Sequence, residues 1–248
     1  MKGVILAGGR GIRLYPLTKA TNKHLLPVGR EPMIYHPIRQ LRGAGIQEIM
    51  VVTSTEHMGD VVRCLGSGEE FGARLTYRVQ EEAAGIAHAL SLAEGFAGDD
   101  LICVILGDNI FEYSIQPYVQ AFQAQGRGAR VLLKEVGDPE RYGVAALDEV
   151  KILEIEEKPS HPKSDYAVVG LYFYDAAVFR EIRSIGRGRR NEYEITEVNN
   201  RYISRNDLRY DICRGAWTDA GTFESLMEAN RILFANNNRI LPHPPDHP

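Results

Sequence analysis

Short apolar runs alternate with amphipathic stretches along the first half of the chain. Residues 4–7 and 101–106 are nearly continuous apolar runs, which are typical of strands buried on both faces. Between them, Ile34, Ile38 and Leu41 recur at helical spacing. The alternation predicts a parallel sheet covered by helices. The predicted strands are 4–7, 48–53, 75–79 and 101–106, and the predicted helices are 33–44, 60–65 and 86–96.

The second half of the chain is more mixed, because several strand-like runs follow one another directly. The predicted strands are 131–136, 143–147, 152–155 and 168–174, and the predicted helices are 176–185, 195–204 and 222–236. No internal repeat and no Ser-, Pro- or Gly-rich linker divides the chain. We therefore predict a single α/β domain over residues 1–236. Residues 237–248 contain prolines without apolar partners, which predicts a disordered tail.

Composition narrows the possible functions. The 248 residues are 44% hydrophobic and 25% charged, as in an ordinary soluble globular protein. A net charge of −4 argues against a nucleic-acid or membrane-surface partner, which requires a basic face, but allows a small anionic ligand. No apolar run approaches the ~20 residues of a membrane span, and the N-terminal apolar stretch is too short for a signal peptide. These features favour a cytoplasmic protein.

A glycine-rich loop follows the first predicted strand. Gly8, Gly9 and Gly11 would let backbone N–H groups approach an anion closely, and Arg13 adds a fixed cation. The loop has neither the GxxxxGK[ST] nor the GxGxxG spacing. From the glycines alone, an ordinary tight turn at the end of a strand is an equally good interpretation.

Two aspartates are candidates for a metal site. Asp108 follows a buried strand, whose carboxyl end is where ligands collect in open α/β sheets, and Asp219 lies far along the chain. Magnesium prefers one or two carboxylates together with phosphate oxygens and water. In isolation, Asp108 could equally be a turn residue and Asp219 a helix N-cap. A zinc site is not predicted, because the three cysteines form no CxxC and the seven histidines form no HExxH.

The segment 8–28, GGRGIRLYPLTKATNKHLLPV, closely resembles the signature of sugar-1-phosphate nucleotidyltransferases, GGxGTRLxPLTxxxxKxLLPV. Ile12 stands where that family usually has threonine, which removes a hydroxyl but leaves a backbone N–H. His24 stands where the family usually has glutamine after Lys23. The resemblance extends over about residues 3–235 and implies a Rossmann-like, mixed, mostly parallel sheet flanked by helices, the nucleotide-diphospho-sugar transferase fold.

Residues 77–87 resemble the corresponding segment of glucose-1-phosphate thymidylyltransferases, in which a glutamine and a glycine backbone bind a pyrimidine base. The resemblance implies a nucleotide-binding part at about 1–110 and a sugar-phosphate-binding part at about 111–222. The implied nucleotide-binding residues are Leu6, Gly8, Gly9, Gly11, Ile12, Arg13, Lys23, Gln80 and Gly85. The implied sugar-phosphate-binding residues are Asn109, Tyr142, Gly143, Glu157, Lys158, Val169 and Trp217.

For the chemistry, the resemblance implies magnesium on Asp108 and Asp219, with Arg13, Lys23 and Lys158 as further catalytic residues. The expected reaction is thymidylyl transfer from dTTP to α-D-glucose 1-phosphate, giving dTDP-glucose and pyrophosphate. The alternatives are a uridylyl- or cytidylyltransferase of the same fold and a non-catalytic sugar-nucleotide-binding regulator. We expect a homodimer or homotetramer, and a short form in which product inhibition through a second nucleotide site is absent or weak.

Overall fold

The computed structural model describes residues 1–236 and Ile240, so the predicted disordered tail lies outside the described residues except for Ile240. The strands are β1 (Lys2–Ala7), β2 (Pro27–Val28), β3 (Glu31–Pro32), β4 (Glu48–Ser54), β5 (Arg74–Gln80), β6 (Ile102–Leu106), β7 (Asn109–Phe111), β8 (Ala129–Glu135), β9 (Gly143–Leu147), β10 (Ile152–Glu157), β11 (Tyr166–Tyr174), β12 (Leu208–Ile212) and β13 (Trp217–Asp219). The helices are α1 (Tyr35–Gly43), α2 (Met58–Leu65), α3 (Ile86–Ser91), α4 (Glu94–Ala97), α5 (Gln116–Gln125), α6 (Val178–Ser184), α7 (Ile195–Ser204) and α8 (Phe223–Ala235).

One mixed sheet forms the centre of the molecule. Its strand order is β10-β9-β11-β6-β1-β4-β5, and β8 and β12 extend it from β11. The neighbours β6, β1, β4 and β5 are parallel, whereas β11 runs antiparallel to β6, β8 and β9. The prediction of a mixed sheet flanked by helices is therefore confirmed. Because four neighbouring strands are parallel, the loops that follow them meet at one edge of the sheet.

Both faces of the parallel strands are buried, which explains their continuous apolar runs. In β1, Val4 and Leu6 pack in one apolar cluster with α3, α6 and α7. Ile5 and Ala7 point to the opposite face and pack with α1 and α5. A third cluster joins Leu14 after the glycine-rich loop to the inner face of α8. None of the helices within the described residues is both long and apolar enough to span a bilayer.

The structure differs from the predicted elements in a few places. The single helix predicted at 86–96 is interrupted and forms α3 and α4. The short strands β7, β12 and β13 and the helix α5 are not predicted. β7 and β13 have only three residues each, and β12 carries charged residues at an edge, so no local apolar pattern marks them. The strands with which β7, β12 and β13 pair lie far away in the sequence, which is why a local pattern does not reveal these three strands.

Candidate functional site

A cavity of about 470 Å³ lies at the carboxyl edge of the parallel strands. Its wall is formed by the glycine-rich loop after β1, the end of β5, the segment after β6, and the facing strands β10 and β11. Nearly all the predicted site residues line this one cavity. They are Leu6, Gly8, Gly9, Ile12, Arg13, Lys23, Gln80, Gly85, Asp108, Asn109, Tyr142, Gly143, Glu157, Lys158, Trp217 and Asp219.

Two predicted site residues do not line the cavity. Val169 is fully buried in the core on the opposite face of β11, while its neighbours Val168 and Gly170 face the cavity. The Val169 side chain points away from the cavity because side chains alternate along a strand, so the predicted contact of Val169 with the sugar phosphate would have to be made by its main chain. Gly11 has a φ of 64°, and a Cβ there would lie 2.7 Å from the Thr18 side chain. Gly11 is therefore required for the conformation of the loop, although it is not among the residues that line the cavity.

Lys23 and Asp108 form the most enclosed ion pair of the cavity. The Lys23 Nζ lies 2.5 Å from the Asp108 Oδ2, and each side chain is about one-eighth exposed. The second oxygen of Asp108 accepts a hydrogen bond of 3.0 Å from the Asn109 amide. Burial alone would raise the pKa of the Asp108 carboxyl, but the Lys23 ammonium outweighs it and holds that pKa well below its usual range. The Asp108 carboxyl is therefore ionised.

The fold brings Asp219 to Asp108 through the two short strands that the sequence does not predict. β7 and β13 pair antiparallel, with Asn109 opposite Asp219. The Ala220 N–H donates to the Asp108 carbonyl over 2.8 Å. The two aspartates, more than a hundred residues apart in sequence, therefore lie on adjacent strand ends and face the same cavity.

The surroundings of Asp219 indicate what the pair can bind. Its carboxylate lies 3.3 Å from both the Arg141 guanidinium and the Tyr142 hydroxyl, and 4.0 Å from Arg13. Burial, followed by the nearby charge of Asp108, raises the pKa of Asp219 in spite of these partners. A buried carboxylate and a largely buried one that repel each other suit a divalent cation.

The donor set also restricts how a metal would be held. Within residues 1–236 and Ile240, no three His, Cys, Asp or Glu side chains lie close enough together to hold a metal by themselves. Two carboxylates are what the described part of the protein supplies. A hard cation such as magnesium would take its other ligands from phosphate oxygens and water, so the site fits a metal that is shared with an anionic ligand.

Asn109 and Trp217 belong to a hydrogen-bond network that holds the Asp108 side chain in place. The Asn109 side-chain oxygen accepts hydrogen bonds from the Trp217 indole N–H at 2.8 Å and from the Gly170 N–H at 3.0 Å. Its amide group donates to Asp108. These contacts fix the orientation of Asp108 relative to β11. The Asn109 side chain, which was predicted to bind the sugar phosphate, thus makes its hydrogen bonds to other residues of the protein.

Gln80 and Gly85 lie at the other end of the cavity, after β5. The buried Gln80 amide nitrogen lies 3.0 Å from the His88 Nδ1 and 3.3 Å from the Gly85 carbonyl. The loop is tied to the segment before α7, because the Tyr193 N–H donates to the Ala84 carbonyl over 2.8 Å. Gly85 has a φ of 102°, and a Cβ there would lie 2.6 Å from the Tyr193 carbonyl oxygen.

Replacing Gly85 by alanine is expected to lower the free energy of unfolding by about 1–3 kcal/mol, since the side chain adds both backbone strain and a clash. Urea denaturation followed by circular dichroism measures the change. Gly59→Ala is the matched control, because Gly59 lies within α2 and no atom would come within 4 Å of its Cβ. That control should be unchanged or stabilised by up to about 1 kcal/mol. Equal stability of the two variants would contradict this role of Gly85.

The third part of the cavity contains Glu157 and Lys158. Glu157 accepts hydrogen bonds from the Thr196 hydroxyl at 2.6 Å and from the Arg190 guanidinium at 2.9 Å. Lys158 lines the cavity and is partly enclosed by its walls, and none of the described hydrogen bonds or ion pairs engages its ammonium group. Burial, followed by the charge of Arg190, lowers the pKa of Lys158. An ammonium group beside another cation, without an acidic partner on its nitrogen, favours an anionic ligand.

The structure brings to the cavity three side chains to which the sequence analysis assigns no role in the site. Arg141 bridges Asp138 at 2.5 Å and Asp219 at 3.3 Å. Arg190 pairs with Glu157 and Glu194, and His24 packs beside Lys23. Of these three residues, only His24 was noticeable in the sequence, because it replaces the glutamine that the family usually has after the lysine. Burial lowers its pKa to about 3, so its imidazole is neutral.

Comparison with known proteins gives a consistent result. The family model described as "Nucleotidyl transferase" matches residues 2–236. A glucose-1-phosphate thymidylyltransferase from Neisseria meningitidis is 45% identical over 233 residues, covering 92% of this chain and 81% of the relative. The enzyme of the same name from Mycolicibacterium smegmatis is 43% identical over 237 residues, covering 94% of this chain and 82% of the relative.

Solved structures agree with this result. A crystal structure of a Bacillus anthracis protein, provisionally assigned as a glucose-1-phosphate thymidylyltransferase and bound to sucrose, is 57% identical with a TM-score of 0.91. It covers 97% of this chain and 96% of its own. A UDP-glucose pyrophosphorylase complexed with UDP-glucose is 24% identical with a TM-score of 0.80, covering 95% of this chain and 98% of its own, and shares the fold.

Proposed function

Because this chain belongs to the nucleotidyl transferase family, we propose that it transfers the thymidylyl group of dTTP to α-D-glucose 1-phosphate and releases pyrophosphate. The observation that supports this most strongly is the convergence of the glycine-rich loop, Lys23 and both aspartates on one cavity. Relatives named for this activity match more than nine-tenths of the chain. A non-catalytic regulator would have no need for this arrangement of Lys23, Asp108 and Asp219.

The main barrier to this reaction is electrostatic, because both substrates are polyanions. Three cationic side chains line the cavity and can offset this repulsion. They are Arg13 at the glycine-rich loop, Lys23 in the centre of the cavity, and Lys158 on the side opposite the glycine-rich loop. We assign the triphosphate to the glycine-rich loop and Arg13, and the sugar phosphate to Lys158. Glu157 and the Tyr142 hydroxyl then lie where hexose hydroxyls need partners.

In the proposed step, a phosphate oxygen of glucose 1-phosphate attacks the α-phosphorus of dTTP in line. A new P–O bond forms as the bond to the β-phosphate oxygen breaks, and pyrophosphate takes the electron pair. The nucleophile is already an anion, so no general base is required. The enzyme contributes alignment of the two substrates and stabilisation of the charge on the leaving group. Lys23 is the cation placed to stabilise the leaving pyrophosphate.

We propose that Mg²⁺ is bound by Asp108 and Asp219 together with phosphate oxygens. Both carboxylates face the cavity, and the raised pKa of Asp219, caused first by burial and then by Asp108, is the electrostatic condition that a divalent cation relieves. When bound, the metal would neutralise charge on the reacting phosphates. The protein residues around it hold the carboxylates in place: Asn109 for Asp108 and Arg141 with Tyr142 for Asp219.

Measuring which nucleoside triphosphate the enzyme uses tests the proposed function directly. Thymine differs from uracil by one methyl group, which a pocket discriminates by only about 1–3 kcal/mol. Pyrophosphate release should therefore be fastest with dTTP, slower with UTP, and very slow with CTP, ATP and GTP, with glucose 1-phosphate as acceptor throughout. Preference for UTP would support the uridylyltransferase alternative. No release with any triphosphate would refute the assignment as a nucleotidyltransferase.

Lys158→Ala is expected to raise the KM for glucose 1-phosphate by about 10-fold or more while changing the KM for dTTP much less. The reason is that Lys158 lies on the side of the cavity assigned to the sugar phosphate, where none of the hydrogen bonds or ion pairs described for residues 1–236 engages its ammonium group. Lys151→Ala is a matched control, because Lys151 is exposed in the loop before β10 and does not line the cavity. A larger effect on dTTP than on the sugar phosphate would contradict the assignment.

We further propose a cytoplasmic location, small-molecule substrates without nucleic-acid or membrane partners, and assembly as a homodimer or homotetramer. The net charge of −4 supports small-molecule substrates, which are bound by local cations and need no broad basic surface. Light scattering coupled to size exclusion measures the assembly, since a monomer has a mass of 27.7 kDa.

A further inference from the structure

We propose that Lys23 substitutes for the divalent cation in the ligand-free enzyme, so that metal binds the aspartate pair only once nucleotide phosphates have drawn Lys23 away from Asp108. This inference deepens the proposed function and rests on it for the identity of the nucleotide. It assigns Lys23 a second role: besides acting on the phosphates, it controls the order in which metal and nucleotide enter.

The first support is the position of the Lys23 ammonium. It lies 2.5 Å from the Asp108 Oδ2, and the other oxygen of Asp108 is taken by Asn109. The Lys23 ammonium group therefore lies on the Asp108 oxygen that the Asn109 amide does not engage, where it occupies a position that a cation could otherwise take. A divalent ion approaching this oxygen meets a positive charge in a nearly enclosed site, where repulsion is poorly screened.

The second support is the state of Asp219. Arg141 and Arg13 lie 3.3 Å and 4.0 Å from its two oxygens. Both aspartates are thus partnered by cations of the protein before any ligand arrives. Arg141 also pairs with Asp138 at 2.5 Å, so the three carboxylates and the three cations of this cluster have a formal net charge of zero, and a free divalent cation meets no net negative charge there.

The third support is the path of the Lys23 side chain along the glycine-rich loop. A Cβ on Gly9 would lie 3.1 Å from the Lys23 Nζ, and one on Gly11 would lie 2.9 Å from the Lys23 Cβ. The ammonium group is therefore within contact of the proposed phosphate loop and of Asp108 at the same time. A triphosphate on the loop competes with Asp108 for the same cation, and the oxygen it vacates becomes available to the metal.

Mn²⁺ binding measured by electron paramagnetic resonance at pH 8, with no nucleotide present, tests this inference. Wild type should bind Mn²⁺ weakly, whereas Lys23→Met should bind at least about tenfold more tightly, because a positive charge has been removed from the site. The double variant Lys23→Met/Asp108→Asn should lose that gain. Lys19→Met is the matched control, since Lys19 is exposed nearby on the same segment, and it should bind as wild type does.

A second arm adds a dTTP analogue with a methylene group between the α- and β-phosphates, with blanks lacking protein. The analogue should produce enzyme-bound Mn²⁺ in wild type and should reduce the difference between wild type and Lys23→Met. If Lys23→Met does not fold by circular dichroism, Lys23→Gln has the same expected outcome.

Metal binding to Lys23→Met that equals or falls below that of wild type would overturn the inference. The first arm needs no substrate, so it decides the inference even if the nucleotide panel refutes the thymidylyltransferase assignment. Conversely, dTDP-glucose synthesis by wild type together with unchanged Mn²⁺ affinity in Lys23→Met would leave the proposed function standing and reject this role of Lys23.

Discussion

Lys23→Met is expected to reduce the rate of pyrophosphate release by a factor on the order of 10²–10³, equivalent to about 2.7–4 kcal/mol of transition-state stabilisation. The physical reason is that Lys23 is the cation at the centre of the cavity, 2.5 Å from Asp108 and in contact with the glycine-rich loop. Charge on the reacting phosphates increases there during the reaction. Methionine preserves most of the side-chain volume and removes only the charge.

Single-turnover measurements with saturating dTTP and glucose 1-phosphate isolate this effect from binding. Lys19→Met serves as the control, because Lys19 is exposed and does not line the cavity. Wild-type turnover in Lys23→Met would remove Lys23 from the catalytic group. A rise in KM for dTTP with an unchanged kcat would leave it as a binding residue alone.

Asp108→Asn is expected to produce a loss of similar size, on the order of 10² or more in kcat, with the fold retained. Asparagine has nearly the same shape, and the main-chain hydrogen bond from Ala220 to the Asp108 carbonyl does not depend on the side chain. What disappears is the negative charge that the proposed Mg²⁺ requires. The same substitution also frees Lys23 from its partner.

Measuring pyrophosphate release as a function of Mg²⁺ concentration separates the possible causes. If Asp108 holds the metal, the concentration giving half-maximal rate should rise at least tenfold. Asp99→Asn is the matched control, since Asp99 is exposed in the loop before β6 and lies outside the cavity lining. A wild-type Mg²⁺ dependence in Asp108→Asn would show that Asp108 is not a metal ligand.

The strands and helices that were predicted correctly are those that a local pattern of apolar residues marks in the sequence. β1 and β6 are continuous apolar runs because helices cover both faces of the sheet, and α7 was predicted over the same residues that it occupies. β7 and β13 could not be predicted in this way. Three residues carry no periodicity, and their pairing joins residues about 110 positions apart.

The same distinction applies to the candidate site, where residues in short motifs were predicted and contacts between distant segments were not. The glycine-rich loop, Lys23 and Gln80 were predicted from short motifs, because phosphate and base contacts depend on a few residues at close spacing. The orientation of the Val169 side chain could not be predicted, since a motif match does not reveal to which face of β11 a side chain points. Arg190 was missed because its acidic partners are recognisable only once β10 and the start of α7 lie side by side.

The α/β class, the loop suited to an anion, the family resemblance and the residue types available for the chemistry can all be read from the amino-acid sequence. These properties follow from local backbone preferences and from side-chain chemistry at fixed spacing. Which charged groups become partners depends on the three-dimensional fold. Lys23 and Asp108 are 85 residues apart, and Asp219 reaches Asp108 through β13. Electrostatic interaction depends on distance in space and on burial, and both are set by the folding of the whole chain.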